Sequence, residues 1–446
     1  MSKIKKLHPM QILALFFVVV ILVGAILLTF PVSSKSGYST NYLDALFTAT
    51  SAASVTGLVV LDTGTYWSSF GKTVILVLIQ IGGLGIMSFT TLTALKFSKK
   101  ISLSRSLLIK EALNFDEFQG VSLIVRYVFI LTLSVELLGA LLLSFQFVPE
   151  FGLIDGLYNS LFISISAFCN AGFDIFGKFS SLTAYSSNWY VLTICMILII
   201  IGGIGFGVIT ELITYRKTRK ISINTKIVLI VTTVLILLGT ILFFILEYNN
   251  SLTLKNMSLG DKILNSFFIS VSPRTAGFNS VNLAGMRSGS VFLTCILMLI
   301  GGSPGSTAGG IKTTTLGVII LSIFYYIKNQ DKAVILGKRI PFKVINKAFV
   351  LTFASLSFIS VFVILISMTH RNAQLEAIII EVFSAFNTVG LSIGLTTKLN
   401  AIGKILIILA MYFGRVGILT LLFVLTNKID RTKKYIEYPE ARITVG

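Results

Sequence analysis

The chain has 446 residues, 54% of them hydrophobic and 12% charged, with a formal net charge of +19 and a mean hydropathy of +0.90. A soluble domain must cover itself with polar area that this composition does not supply, so a water-soluble enzyme or binding domain is excluded. The positive charge gathers at the ends of apolar runs, which argues against a nucleic-acid partner and for a bilayer as solvent.

In chain order the long apolar runs cover residues 11–30, 73–95, 121–145, 189–212, 227–246, 291–326, 348–368 and 402–425. At about 1.5 Å per residue each is long enough to cross a hydrocarbon core of about 30 Å. The first follows Lys3, Lys5 and Lys6 and superficially resembles a signal peptide. Its span length, with no small-residue cleavage site after it, reads as a first crossing instead. Basic residues crowd alternate loops: Lys96 to Arg126, Arg216 to Lys226, Lys328 to Lys347, and the tail from Lys428. Alternation of this kind places both termini in the cytoplasm and makes the number of crossings even. Cys169, Cys195 and Cys295 fall inside apolar segments without metal-ligand spacing and read as packing residues.

Within each pair of long runs lies a shorter apolar piece, at 42–53, 157–168, 263–271 and 375–386. These pieces are too short to span and suit re-entrant helices. Each has an acid near its start, Asp44, Asp155, Asp261 or Glu376, where a carboxylate favours a helix N-terminus. After each piece comes a related string. The four contain Val55, Thr56 and Gly57; Asn170, Ala171 and Gly172; Thr275, Ala276 and Gly277; and Thr388, Val389 and Gly390. A Leu or Phe follows every one of these glycines, and the strings recur in step with the hydropathy. Repetition in phase reports architecture. The units are 1–100, 101–220, 221–330 and 331–430, with a cytoplasmic tail at 431–446. The second span of each unit also holds a glycine cluster, beginning at Gly82, Gly202, Gly301 and Gly414. Small residues that let neighbouring helices pack closely are one reading of the first two clusters, while the third and fourth contain residues that packing alone does not explain.

A helix that dips into the membrane ends in backbone that must be buried or must line water. Four such ends about one axis would offer rings of carbonyls to replace the hydration shell of a cation. Glycine permits the positive φ that turns successive carbonyls one way. The expected fold is therefore an all-α membrane protein of eight spans and four re-entrant helices, arranged pseudo-fourfold around a central pore.

Fourfold membrane–pore–membrane units with one glycine each, and in particular the string Ser272 to Phe278 and the broken segment 301–315, resemble the Trk/Ktr/HKT superfamily of potassium transporters. Length and the absence of extra leading spans make the membrane subunit of bacterial Ktr systems the nearest type. The resemblance implies a potassium-selective filter at the four strings, because a glycine stands in each and a serine in the first unit would admit sodium. It also implies a homodimer in the plasma membrane, served by a cytosolic RCK-type ring that binds adenine nucleotides. Sodium enters as an alternative cargo or as a coupling or activating ion.

The sixth run contains Gly301, Gly302, Ser303, Pro304, Gly305, Ser306, Thr307, Ala308, Gly309 and Gly310, then Lys312. Proline and glycine oppose a helix here, so the stretch reads either as a plug below the filter or as a simple kink. The resemblance implies the former, a gating loop. Its glycine spacing suggests a phosphate loop, but Ile311 displaces Lys312 by one position and the motif fails. Arg415, in the last span, needs an interior partner or a cavity. It either faces the pore as a barrier to cations or pairs with Glu136 or Glu211. Lys312 either joins it or reaches the cytoplasm. His8 and His370 are the only histidines, and no nucleophile–base pair is evident, so enzymatic chemistry and a bound cofactor are not expected. The basic loops would suit the cytosolic partner or anionic lipid.

Overall fold

A computed structural model describes residues 9–97, 121–219, 221–330 and 333–417. They form α1 (Pro9–Thr29), α2 (Tyr42–Ser54), α3 (Ser69–Phe97), α4 (Val121–Phe151), α5 (Leu153–Phe168), α6 (Trp189–Ile204), α7 (Phe206–Thr218), α8 (Ile223–Glu247) and α9 (Leu259–Val271). After these come α10 (Ser288–Leu299), α11 (Thr313–Ile327), a hairpin of β1 (Val334–Ile335) and β2 (Lys338–Arg339), α12 (Phe342–Thr369), α13 (Leu375–Phe386) and α14 (Ala401–Val416). Expectations for residues 1–8, 98–120, 418–425 and the tail at 431–446 lie outside the described residues.

Among the described residues, α4 (over 128–151), α8 and α12 are long and apolar enough to cross a membrane unbroken. Each leaves large apolar side chains exposed, such as Leu137, Leu141, Leu237, Ile241, Phe353 and Ile364. A helix clothed in this way is solvated by lipid on that side. The short helices α2, α5, α9 and α13 are largely buried instead. Asp44, Asp155, Asp261 and Glu376 all stand in their first turns. Helices α5 and α9 start earlier than the apolar pieces because Asp155 and Asp261 interrupt hydropathy without interrupting the helix.

The same lock joins two of the short helices to the long helix before them. Ser164 Oγ donates to Glu136 O at 2.7 Å, and Ser270 Oγ donates to Ile236 O at 2.8 Å. Gly139 and Gly239 leave room for these hydroxyls, which a Cβ there would strike. The two units thus repeat in detail as well as in hydropathy.

The second spans differ from expectation. Only the sixth run was expected to break, yet every glycine cluster interrupts its helix. Helix α3 kinks at Gly85 (φ 67°), α6 and α7 meet at Gly205 (φ 100°) with a bend of 97°, and α14 ends at Gly417 (φ 87°). The last glycine of each of these clusters, Gly85, Gly205 or Gly417, takes a left-handed φ that other residues resist. The first lies under a short helix: a Cβ on Gly82, Gly202 or Gly414 would strike the carbonyl of Ala53, Phe168 or Phe386. Close packing and a special backbone role therefore occur together.

Candidate functional site

Where each short helix ends, the chain turns left-handed, one residue passes, and it turns left-handed again. The first of these residues are Val55 (φ 58°), Asn170 (φ 59°), Thr275 (φ 73°) and Thr388 (φ 52°). The second are Gly57 (φ 91°), Gly172 (φ 67°), Gly277 (φ 78°) and Gly390 (φ 95°). Left-handed φ is rare outside glycine and rarer still for β-branched Val and Thr, so the surroundings must impose it.

A serine supplies part of that imposition in every unit. Ser51 Oγ accepts from the Gly57 N–H at 3.0 Å, and Ser384 Oγ accepts from the Gly390 N–H at 2.9 Å. Ser166 Oγ donates to Phe173 O at 2.7 Å, and Ser272 Oγ donates to Phe278 O. The residue after each glycine, Leu58, Phe173, Phe278 or Leu391, buries its side chain. Each string is therefore anchored on its outer side. These serines belong to the repeated strings themselves, five or six positions before each glycine, but hydropathy and spacing alone assign them no role.

The four glycines close a ring. A Cβ on Gly57 would lie 3.1 Å from Gly172 Cα and against Ala171 O. On Gly172 it would lie 2.8 Å from both Gly277 Cα and Ala276 O. On Gly277 it would meet Val389 O, with Gly390 Cα at 3.3 Å, and on Gly390 it would meet Thr56 O, with Gly57 Cα at 3.0 Å. Every ring position thus faces its neighbour's glycine and the carbonyl just before it. Outside the ring opens a vestibule of about 540 Å³ lined by all four strings, and among the described residues Asp174 is its one acidic lining residue. Burial pushes the Asp174 carboxyl up to about 7, and nearby Asp62 pushes the same way against an opposing hydrogen bond from the Phe176 N–H.

On the other side of the ring lies the irregular segment between α10 and α11. Its ends are pinned together by Gly301 N–H to Ile311 O and Ile311 N–H to Leu299 O, both 3.0 Å. Its body is tied to the second unit, where Gly203 O accepts from Ser303 N–H at 2.9 Å and Gly305 O from Phe206 N–H at 3.0 Å. Thr307 Oγ1 reaches both Phe168 O (3.2 Å) and Gly202 O (3.1 Å). Gly205 packs on Pro304 O, and a Cβ on Gly309 would strike Thr388 of the fourth string. Ser306 Oγ donates to Ser303 O (2.7 Å), Thr313 N–H to Gly302 O (3.1 Å) and Lys312 Nζ to Ala308 O (2.8 Å). Gly310 has φ 66°.

Arg415 completes this side. Its Nη1 donates to Thr307 O at 2.7 Å and its Nη2 to Gly82 O, so one guanidinium bridges the segment and the first unit's second span. The alternative pairing with Glu136 or Glu211 does not form. Glu136 accepts from Gln80 Nε2 at 2.9 Å, and Glu211 from Thr225 Oγ1 at 2.7 Å. Among the described residues the one salt bridge is Lys404 to Asp44, 2.5 Å, which ties α14 to α2. Lys312 bonds within its own loop.

By fold and site this is a helical membrane protein that gathers four buried backbone strings at one glycine ring, with a bridged loop behind it. The TrkH family of cation transport proteins matches residues 2–435, and the chain belongs to that family. The potassium/sodium uptake protein NtpJ of Enterococcus hirae is 43% identical over 99% of this chain and 98% of its own. The Ktr system potassium uptake protein B of Bacillus subtilis is 41% identical over 98% and 97% respectively. The solved potassium transporter TrkH from Vibrio parahaemolyticus shares the fold, with a TM-score of 0.76 at 19% identity over 96% of this chain and 86% of that one. The chain is accordingly a membrane transport protein and not an enzyme.

Proposed function

We propose that this chain takes up potassium across the plasma membrane through a path that crosses the glycine ring. The observation that carries the reading is the closed ring, in which left-handed residues flank the carbonyls of Thr56, Ala171, Ala276 and Val389. Two left-handed turns separated by one residue can aim successive carbonyls at one point, and carbonyls so aimed substitute for the water around a bare cation. The short helices add the negative ends of their dipoles at the ring, which favours a cation over an anion. Each unit then contributes two spans and one re-entrant helix, eight spans in all, with both termini in the cytoplasm and the units arranged pseudo-fourfold. The names of the E. hirae and B. subtilis relatives support potassium as the cargo.

The segment 301–312 acts as the gate, lying across the path behind the ring with Arg415 as its latch and fixed positive barrier. Its bonds to the second unit, its contact with Thr388 and its bridge through Arg415 to Gly82 support that role. Opening would break the Arg415 bonds and move the loop, and a cytosolic RCK-type ring that binds adenine nucleotides would drive this from the basic loops of a homodimer. Relatives named for a Ktr system support a partner subunit.

A second reading is sodium-coupled symport with weaker potassium preference, favoured by the relative named for both ions. The test is uptake by a strain that cannot grow at low potassium. Expression of this chain with its cytosolic partner should restore growth and potassium uptake, and Gly57→Ser should shift uptake towards sodium. An unchanged ion preference in Gly57→Ser would remove the filter, and a strict sodium requirement would favour symport.

A further inference from the structure

The fourth string leaves the ring by a different arrangement from the other three. The first and second exits are stapled together by Asp62, which accepts from Thr65 N–H and Oγ1 (both 2.7 Å) and from Phe179 N–H (2.6 Å). The second and third are joined where Asn279 N–H donates to Ser181 Oγ (3.1 Å) and Leu182 N–H to Asn279 O (3.0 Å). Among the described residues, segment 390–399 makes no hydrogen bond to another unit. It is held from within by Glu381, a fully buried carboxyl on α13.

Ser392 Oγ donates to Glu381 Oε2 at 2.7 Å and Thr396 Oγ1 to Oε1 at 2.5 Å. The clasp is cross-braced, since Thr396 Oγ1 also bonds Ser392 Oγ (3.0 Å), which accepts from the Gly394 N–H (3.1 Å). Among the described residues Glu381 forms no ion pair. The matching positions of the other short helices hold Thr48, Ile163 and Phe268, so the carboxyl belongs to the fourth unit alone. Burying an acid without a cation is costly, and an apolar side chain would pack there at less cost. What the acid contributes is a fixed position for a backbone that begins two residues after Gly390.

We propose that Glu381 is a positioning residue for ion selectivity. It acts through Ser392 and Thr396 to hold the Val389 carbonyl and Gly390 in register with Gly277 and Gly57. This inference rests on the reading of the ring as a filter. Discrimination between two ions of equal charge depends on how firmly the carbonyls keep their spacing and field, and a loose fourth string would spoil both.

The test measures potassium and sodium flux through the full-length chain in liposomes. Glu381→Leu should lower the potassium-to-sodium ratio by roughly fivefold or more, as expected for the loss of two bonds to a carboxylate. Glu381→Gln keeps the shape and one acceptor oxygen, and its amide N–H2 can donate to the other hydroxyl, so it should retain most of the ratio. If Glu381→Leu does not fold, Ser392→Ala and Thr396→Val each remove one bond and should each lower the ratio part of the way. Gly390→Ser is the control for the filter itself. A shifted ratio in Gly390→Ser with none in the Glu381 or hydroxyl variants would overturn the positioning role and leave the filter standing. An unchanged ratio in Gly390→Ser would overturn both. Reduced yield with an unchanged ratio would make Glu381 a structural residue only.

Discussion

Val55, Thr275 and Thr388 hold a backbone conformation that costs roughly 1–3 kcal/mol apiece, and the serines and buried Leu and Phe anchors beside them hold it in place. The strings themselves are visible in the sequence because each ends on glycine followed by Leu or Phe. The imposed conformation is not visible, since a Val or Thr before the glycine looks like any membrane residue. The four serines stand in the same strings at nearly constant spacing, but what each bonds is visible only in the folded chain. Asp174 makes a prediction at this scale. Burial pushes its carboxyl up to about 7, which favours the neutral form at lower pH and the charged form at higher pH, so the vestibule becomes more negative as pH rises through that range. The apparent affinity for external potassium should therefore rise about two- to fivefold from pH 6 to pH 8. Asp174→Asn should flatten this dependence, and an equally steep profile in that variant would show that another group titrates.

At the scale of the element, hydropathy located the short helices to within a few residues at their starts and a single residue at their ends. It failed on the second spans. A glycine cluster inside an apolar run reads as small-residue packing, and the packing is there at Gly82, Gly202 and Gly414. The breaks at Gly85, Gly205 and Gly417 come from φ, which no period in the sequence reports. Arg415 was recognisable as out of place in apolar surroundings, but its partners were not. Carboxylates are the partners a sequence suggests, whereas the structure supplies the carbonyls of Thr307 and Gly82, which every residue carries. If these bonds latch the loop, Arg415→Gln should raise potassium flux in liposomes by roughly tenfold through loss of the barrier charge. Removal of residues 303–308 should raise it at least as far. Flux no higher than wild type in both would leave the segment a kink with no gating role.

Over the whole molecule the units share a plan and depart from it singly. The second places Glu136 behind its string, the third carries the long irregular loop, and the fourth supplies both Arg415 and Glu381. The pair Lys404–Asp44 joins the last unit to the first. Repetition accounts for a ring that four equivalent strings can close, and under the proposed function the departures are where control and fine positioning would concentrate. The repeat was legible because one pattern returned four times. Closure was not, because it depends on three-dimensional neighbours such as Gly390 and Thr56 that lie far apart in the chain. The most direct test of the central claim is the potassium-to-sodium flux ratio in liposomes for Gly57→Ser, Gly172→Ser, Gly277→Ser and Gly390→Ser, each made singly. A ring that selects as one unit predicts that all four lower the ratio. A ratio kept at the wild-type value by any of them, with the protein folded and conducting, would contradict a four-membered filter.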